Sequence, residues 1–259
     1  MQVQWDYLFQ GLFRWMHVVA GILWIGMLYF FNFVNSAFAS TMDGETKKKV
    51  VPELMPRALF WFRWGAAFTW VTGAILVAWV YYHGKLVMAK PEDGWSVGLG
   101  LGIAFVFGAV FIYDAVFGKF VNNLKVAFWL GLVLSTGVAW ALQYLCGFGF
   151  RGSLLHVGIM FGTIMAFNVW FRIWPAQRKI ITAVKEGTAP DAALVGMAGT
   201  RSRHNTYMSV PLVFAMLNEH VTWAQTAENI PNFFIPAVIF AGWSVVWMLY
   251  RKAPKVKGF

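Results

Sequence analysis

Apolar runs close to bilayer length recur along this 259-residue chain, and nothing else in it restricts the fold so severely. Hydrocarbon offers no hydrogen bonds to the backbone, so a spanning segment must be a helix or part of a closed barrel. Runs near 20 residues fit the helix, which needs about that length to cross. Seven spans are predicted, at about 8–38, 57–82, 97–117, 122–146, 152–174, 203–221 and 233–250. The expected fold is an all-α polytopic membrane protein, one domain over 1–259. The composition agrees: 59% hydrophobic and only 12% charged residues, where a soluble domain has roughly a quarter charged.

The net charge of +10 is distributed between the spans rather than along one soluble face, which argues against a nucleic-acid partner. Lys47, Lys48, Lys49 and Arg57 mark the first connection, Lys119 and Lys125 the third. Arg178, Lys179, Lys185, Arg201 and Arg203 mark the fifth, and Arg251, Lys252, Lys255 and Lys257 the tail. The intervening connections carry less: Lys85 and Lys90, then Arg151, then only the acidic Glu219 and Glu228. This alternation places the amino terminus outside and the carboxyl terminus in the cytoplasm. No cleavable signal is expected, because the start lacks a basic region and its first apolar run is too long. Cys146 is the single cysteine, so neither a disulfide framework nor a covalent haem c attachment is available. Pro52, Pro56, Pro91, Pro190 and Pro231 fall between spans or near their ends, whereas Pro211 lies within the sixth and is expected to kink it.

Ionisable side chains inside such spans are rare and usually functional. Sorted by depth, His17, His156 and His220 gather toward the outer side, from the first, fifth and sixth spans. Arg14 precedes His17 by one turn and shares its face. Two chemistries suit the set. The histidines could be axial ligands of a haem b, His17 and His156 first and His220 as alternate, with Arg14 on a propionate. Or they could be interfacial groups bonded to water and carbonyls, the reading kept for His83.

A second cluster lies toward the cytoplasm: Asn32 and Asn35, Arg63, Asn168 and Arg172, then Arg201, Arg203, His204 and Asn205. Guanidinium forks beside neutral amides suit a planar anion with several hydrogen-bonding edges. The competing account is arginines reaching for headgroups and asparagines capping helix ends. Asp114 is expected to pair with Lys119. The Gly98, Gly100, Gly102 series has no preceding strand and is not a nucleotide loop; it permits close helix approach.

Three stretches carry a family resemblance: His17-Val-Val-Ala-Gly-Ile-Leu-Trp-Ile-Gly-Met-Leu-Tyr-Phe-Phe-Asn32, Asn168-Val-Trp-Phe-Arg-Ile-Trp-Pro-Ala-Gln-Arg178 and Arg201-Ser-Arg-His-Asn-Thr-Tyr-Met-Ser-Val-Pro211. They resemble the membrane domain of the bacterial integral-membrane urate oxidases (urate hydroxylases). The resemblance implies urate oxidation in purine breakdown, in the bacterial inner membrane, with electrons passing to a cytochrome c. Members of that family commonly continue into a further span and a cytochrome c domain. This sequence carries no Cys-x-x-Cys-His, so a separate cytochrome c is the expected acceptor. On this reading the inner residues Asn32, Arg63, Asn168, Arg172 and Arg201 bind urate, while His204, Arg203 and Asn205 serve the chemistry. Two other functions use the same residues: a haem-carrying subunit of a larger respiratory complex, and a transporter of a small anion.

Overall fold

The structure is a computed structural model that describes residues 5–119, 123–221 and 230–256, and of Lys119 the backbone alone. Among the described residues seven long helices follow one another: α1 Trp5–Thr41, α2 Gly44–Tyr82, α3 Val97–Lys119, α4 Leu124–Leu145, α5 Phe150–Glu186, α6 Ala192–Asn218 and α7 Phe234–Lys252. No strand occurs among the described residues; an isolated bridge joins Met88 to Phe148. All helices but α6 are long and apolar enough to span a membrane by length and composition. The chain is therefore an all-α, multi-pass membrane protein. α6 has the length but carries Arg201, Arg203, His204 and Asn205, and it buries most of its polar side chains. That inward-facing polarity is why a hydropathy average undervalues this helix.

Several connections expected as loops are helical. α1, α2 and α5 contain 37, 39 and 37 residues, about 55 Å of helix against about 30 Å of hydrocarbon. Lys47, Lys48 and Lys49 thus sit on the start of α2, and Arg178, Lys179 and Lys185 on the end of α5. Pro52 and Pro56 lie within α2 rather than ahead of it, in its polar first third. α6 begins at Ala192, eleven residues before the predicted span, where Asp191 accepts hydrogen bonds from Ala193 and Leu194 N–H at 2.7 and 3.4 Å. Gly187, at φ 73°, closes α5 in the left-handed conformation that glycine adopts without strain. The expected Asp114–Lys119 pair falls outside the described side chains, as do Glu228 and Lys257.

Two compact units divide the chain. The first comprises Met1–Gly73, Met165–Tyr207 and Val245–Phe259. Its core holds Trp24, Leu28, Leu59, Phe62, Met165 and Val169. Gly65 lets α2 approach α1 closely, since a Cβ there would lie 3.1 Å from the Trp24 nitrogen. The second unit comprises Ala74–Ile164 and Met208–Ser244, with Leu99, Val106, Ala139, Leu142, Leu154 and Ile239 at its centre. α6 continues through Pro211, whose ring packs where Gly242 leaves room: a Cβ on Gly242 would meet Pro211 Cδ at 2.9 Å.

Among the described residues π-helical turns interrupt the α register at Phe30–Asn35, Val77–Tyr82, Ala141–Leu145 and Asn168–Ile173. Such turns rotate the following side chains and recur at functional sites. Asn32, Tyr82 and Asn168 lie in three of them.

Candidate functional site

In the first unit a hydrogen-bonded network joins α1, α5, α6 and α7. Asn168 Nδ2–H donates to Asn205 Oδ1 at 2.8 Å, and Asn205 Nδ2–H donates to the Met165 carbonyl at 3.0 Å. Arg201 reaches Asn168 Oδ1 with Nη1 at 3.3 Å. Asn168 and Asn205 have no exposed surface and Arg201 has 3%. Each amide is thus oriented by partners at both its ends, and the cation beside them is bonded to a neutral oxygen.

The same unit holds a second chain of bonds. Asn32 Nδ2–H donates to Ser202 Oγ at 2.8 Å and to the Leu28 carbonyl at 2.9 Å, while Tyr250 O–H donates to Asn32 Oδ1 at 2.8 Å. The tyrosine oxygen also lies 3.2 Å from Thr206 Oγ1. Tyr207 stacks on Tyr250 at 6.0 Å, and the exposed Arg203 places its guanidinium carbon 4.9 Å from the Tyr250 ring. His204 is buried between Arg203 and Asn205 in sequence. The inner residues expected from sequence thus divide. Asn32, Asn168, Arg201 and Asn205 enter these networks, with Arg203 against the tyrosine. Arg172 lies over Phe167 at 5.4 Å and donates to the Phe171 carbonyl at 3.3 Å. Asn35 donates to Met55 Sδ at 3.6 Å. Arg63 sits in an aromatic box formed by Phe60, Trp170 and Trp174.

Ser202, Thr206 and Tyr250 were not foreseen. A helical wheel of α6 does carry the signal for the first two, since residues four apart share a face. Tyr250 reads from sequence as an ordinary interfacial aromatic, and only the fold brings it to Asn32, 218 residues away.

The histidines expected on the outer side lie in different local settings. His17, in the first unit, has Nδ1 2.9 Å from the Thr69 carbonyl and 3.2 Å from Thr72 Oγ1. A carbonyl only accepts, so Nδ1 carries the proton and Nε2 keeps its lone pair. Its ring packs on Gly73, where a Cβ would stand 2.8 Å from His17 Cε1. Such an arrangement suits iron, because a metal-bound imidazole typically donates its other N–H to a carbonyl or carboxylate. His156, in the second unit, differs. Its Nδ1–H donates to the Gly152 carbonyl at 2.7 Å, and Tyr82 O–H occupies Nε2 at 3.0 Å. Both nitrogens are committed, so His156 in this arrangement does not fit an axial-ligand role. His220 follows the end of α6 in an exposed turn, and the exposed His83 stacks on Trp79 at 6.2 Å. Arg14 is half-buried one turn before His17.

A half-buried ion pair completes the second unit. Arg151 Nε–H donates to Glu219 Oε2 at 2.8 Å and Nη2–H to the Glu219 carbonyl at 3.0 Å, with Tyr81 5.3 Å beneath the guanidinium. The described residues contain no group of three or more His, Cys, Asp or Glu side chains placed to hold a metal ion.

Comparisons with curated proteins and with solved structures returned no match. A family profile described as Urate oxidase N-terminal matches residues 41–257. That range takes in Asn168, Arg201, Asn205 and Tyr250, with Asn32, His17 and Arg14 ahead of it. Matching most of its length to that profile, the chain belongs to the urate oxidase N-terminal family.

Proposed function

We propose that this protein is a urate-oxidising membrane oxidoreductase of the bacterial inner membrane, with its amino terminus outside and its carboxyl terminus cytoplasmic. The observation that carries the reading is the buried Arg201–Asn168–Asn205 chain within a member of this family. Urate is a planar anion edged with carbonyl and N–H groups. A guanidinium answers its charge, and amides held at fixed orientation answer its edges. Arg201 binds the anion, Asn205 and Asn168 set its orientation, and the neighbouring Asn32–Tyr250 pair contributes further polar contacts.

Oxidation removes two electrons and two protons from urate. His204 takes one of those protons and water the other, and Arg203 offsets negative charge beside it. The electrons leave singly to two equivalents of an oxidised one-electron carrier, a separate cytochrome c. A haem b held by His17 Nε2 would supply the one-electron relay, with Arg14 on a propionate.

The test is urate-dependent reduction of added ferricytochrome c by the purified protein in vesicles, two equivalents per urate consumed. Arg201→Lys and Asn205→Ala are expected to raise KM for urate at least about tenfold, the effect of removing one charge-assisted bond of roughly 1.5 kcal/mol or more. A protein that neither binds nor oxidises urate sinks the assignment. For the cofactor, a dithionite-reduced b-type absorption spectrum should disappear in His17→Ala; a colourless parent protein sinks the haem.

A further inference from the structure

Arg63 is half-buried, and among the described residues no carboxylate pairs with it. Its Nε is buried with no hydrogen-bond partner. Six residues earlier Arg57 behaves as a surface arginine should, exposed and paired with Glu53 at 2.6 Å. The Arg63 guanidinium carbon lies instead 4.0 Å from the Trp174 ring centre, 5.7 Å from Trp170 and 5.8 Å from Phe60. Trp170 is itself fixed, donating its indole N–H to the Arg63 carbonyl at 3.0 Å. Arg178 brings a second guanidinium to within 6.0 Å of the same Trp174 ring. Stacking fixes the plane of a guanidinium without cancelling its charge, and the N–H fork remains suited to phosphate oxygens.

The depth of this cluster identifies the anion. From Gly65 to Tyr82, α2 has no charged residue, whereas Arg57, Glu53 and the lysines lie on the side before Arg63. Trp174 likewise stands where α5 passes from its apolar run to Arg178, Lys179 and Lys185. Both positions mark the level of lipid headgroups. Around them Phe60, Trp61 and Trp64 are 43%, 55% and 39% exposed, an aromatic surface open to acyl chains. The urate network, by contrast, is enclosed. We propose that Arg63 and Arg178, organised on Trp174, bind the phosphate of an anionic phospholipid, whose chains lie against these exposed rings. Arg63 is thereby assigned to lipid rather than to substrate.

Native mass spectrometry of the full chain in mild detergent tests this. The protein is titrated with phosphatidylglycerol, with phosphatidylcholine of the same chains, and with inorganic phosphate as competitor. One phosphatidylglycerol should be retained in preference to phosphatidylcholine. Arg63→Gln and Arg178→Gln should each weaken its retention about fivefold, the effect expected for one basic residue at a headgroup. Arg57→Gln should leave retention unchanged. Should Arg63→Gln fail to fold, Trp174→Leu, which removes the stacking platform and no charge, is expected to weaken retention likewise. Retention by Arg63→Gln or, where it does not fold, by Trp174→Leu at the level of the parent overturns the proposal. So do equal retention of the two lipids and an equal loss in Arg57→Gln. Complete displacement by inorganic phosphate overturns it as well, by revealing a site for the free ion. None of these readouts involves urate, so this site and the oxidase reading stand or fall separately.

Discussion

Asn168 has both ends of its amide committed, the N–H to Asn205 and the oxygen to Arg201, with no surface exposed. Replacing it by leucine strands polar partners in a low-dielectric interior, so Asn168→Leu should lower stability by about 1–3 kcal/mol. Thermal unfolding in detergent measures this; a parent-like transition would remove the network from the structural account. His17 offers a second test. A methyl group at residue 73 would press on the imidazole at 2.8 Å, so Gly73→Ala should displace the ring and alter any haem spectrum while leaving helicity intact. At this scale the sequence announced which residues were odd, because charges and amides in apolar runs stand out. It did not announce their partners. Tyr82, which occupies His156, is 74 residues from it and in sequence looks like any tyrosine at a membrane boundary.

Helix α5 shows what a register change accomplishes. Its π turn Asn168–Ile173 carries Asn168 into the amide network and Trp170 to the Arg63 backbone. Pro175, just beyond, has no N–H for the Phe171 carbonyl four residues earlier, and the Arg172 guanidinium donates to that oxygen at 3.3 Å. Sequence periodicity assumes 3.6 residues per turn, so a reading of faces across residues 168–173 cannot register this rotation. The glycine-rich turns in the second unit are similarly invisible until folded. Ala89 N–H bonds to the Gly147 carbonyl at 3.0 Å and Gly149 N–H to the Val87 carbonyl at 2.9 Å, clamping the two connections. A Cβ on Gly152 would fall 2.2 Å from the Val87 oxygen. Backbone cannot yield as a flexible side chain does, so Gly152→Ala should destabilise the protein by about 1–3 kcal/mol. An unchanged unfolding temperature would show that the clamp is loose.

Across the whole molecule the helix count was legible because bilayer thickness imposes one length on every span. Helix ends were not, since α2 and α5 run on as polar helix beyond the apolar runs. Those extensions carry the basic residues on which the proposed orientation rests, and Arg151, the basic residue of the fourth connection, is paired with Glu219. The side we propose as external therefore has few uncompensated cations, in line with positive charge staying inside. Orientation is testable because Cys146, the single cysteine, is buried and can be replaced by serine. In that background, cysteine is introduced at Glu92 or at Thr188, both exposed and in opposite sets of connections. A membrane-impermeant maleimide applied to intact spheroplasts should label Glu92→Cys at once and Thr188→Cys only after permeabilisation. The reverse pattern would turn the protein over, and would put the Arg201–Asn168 network nearer the periplasmic face, where urate would enter from outside.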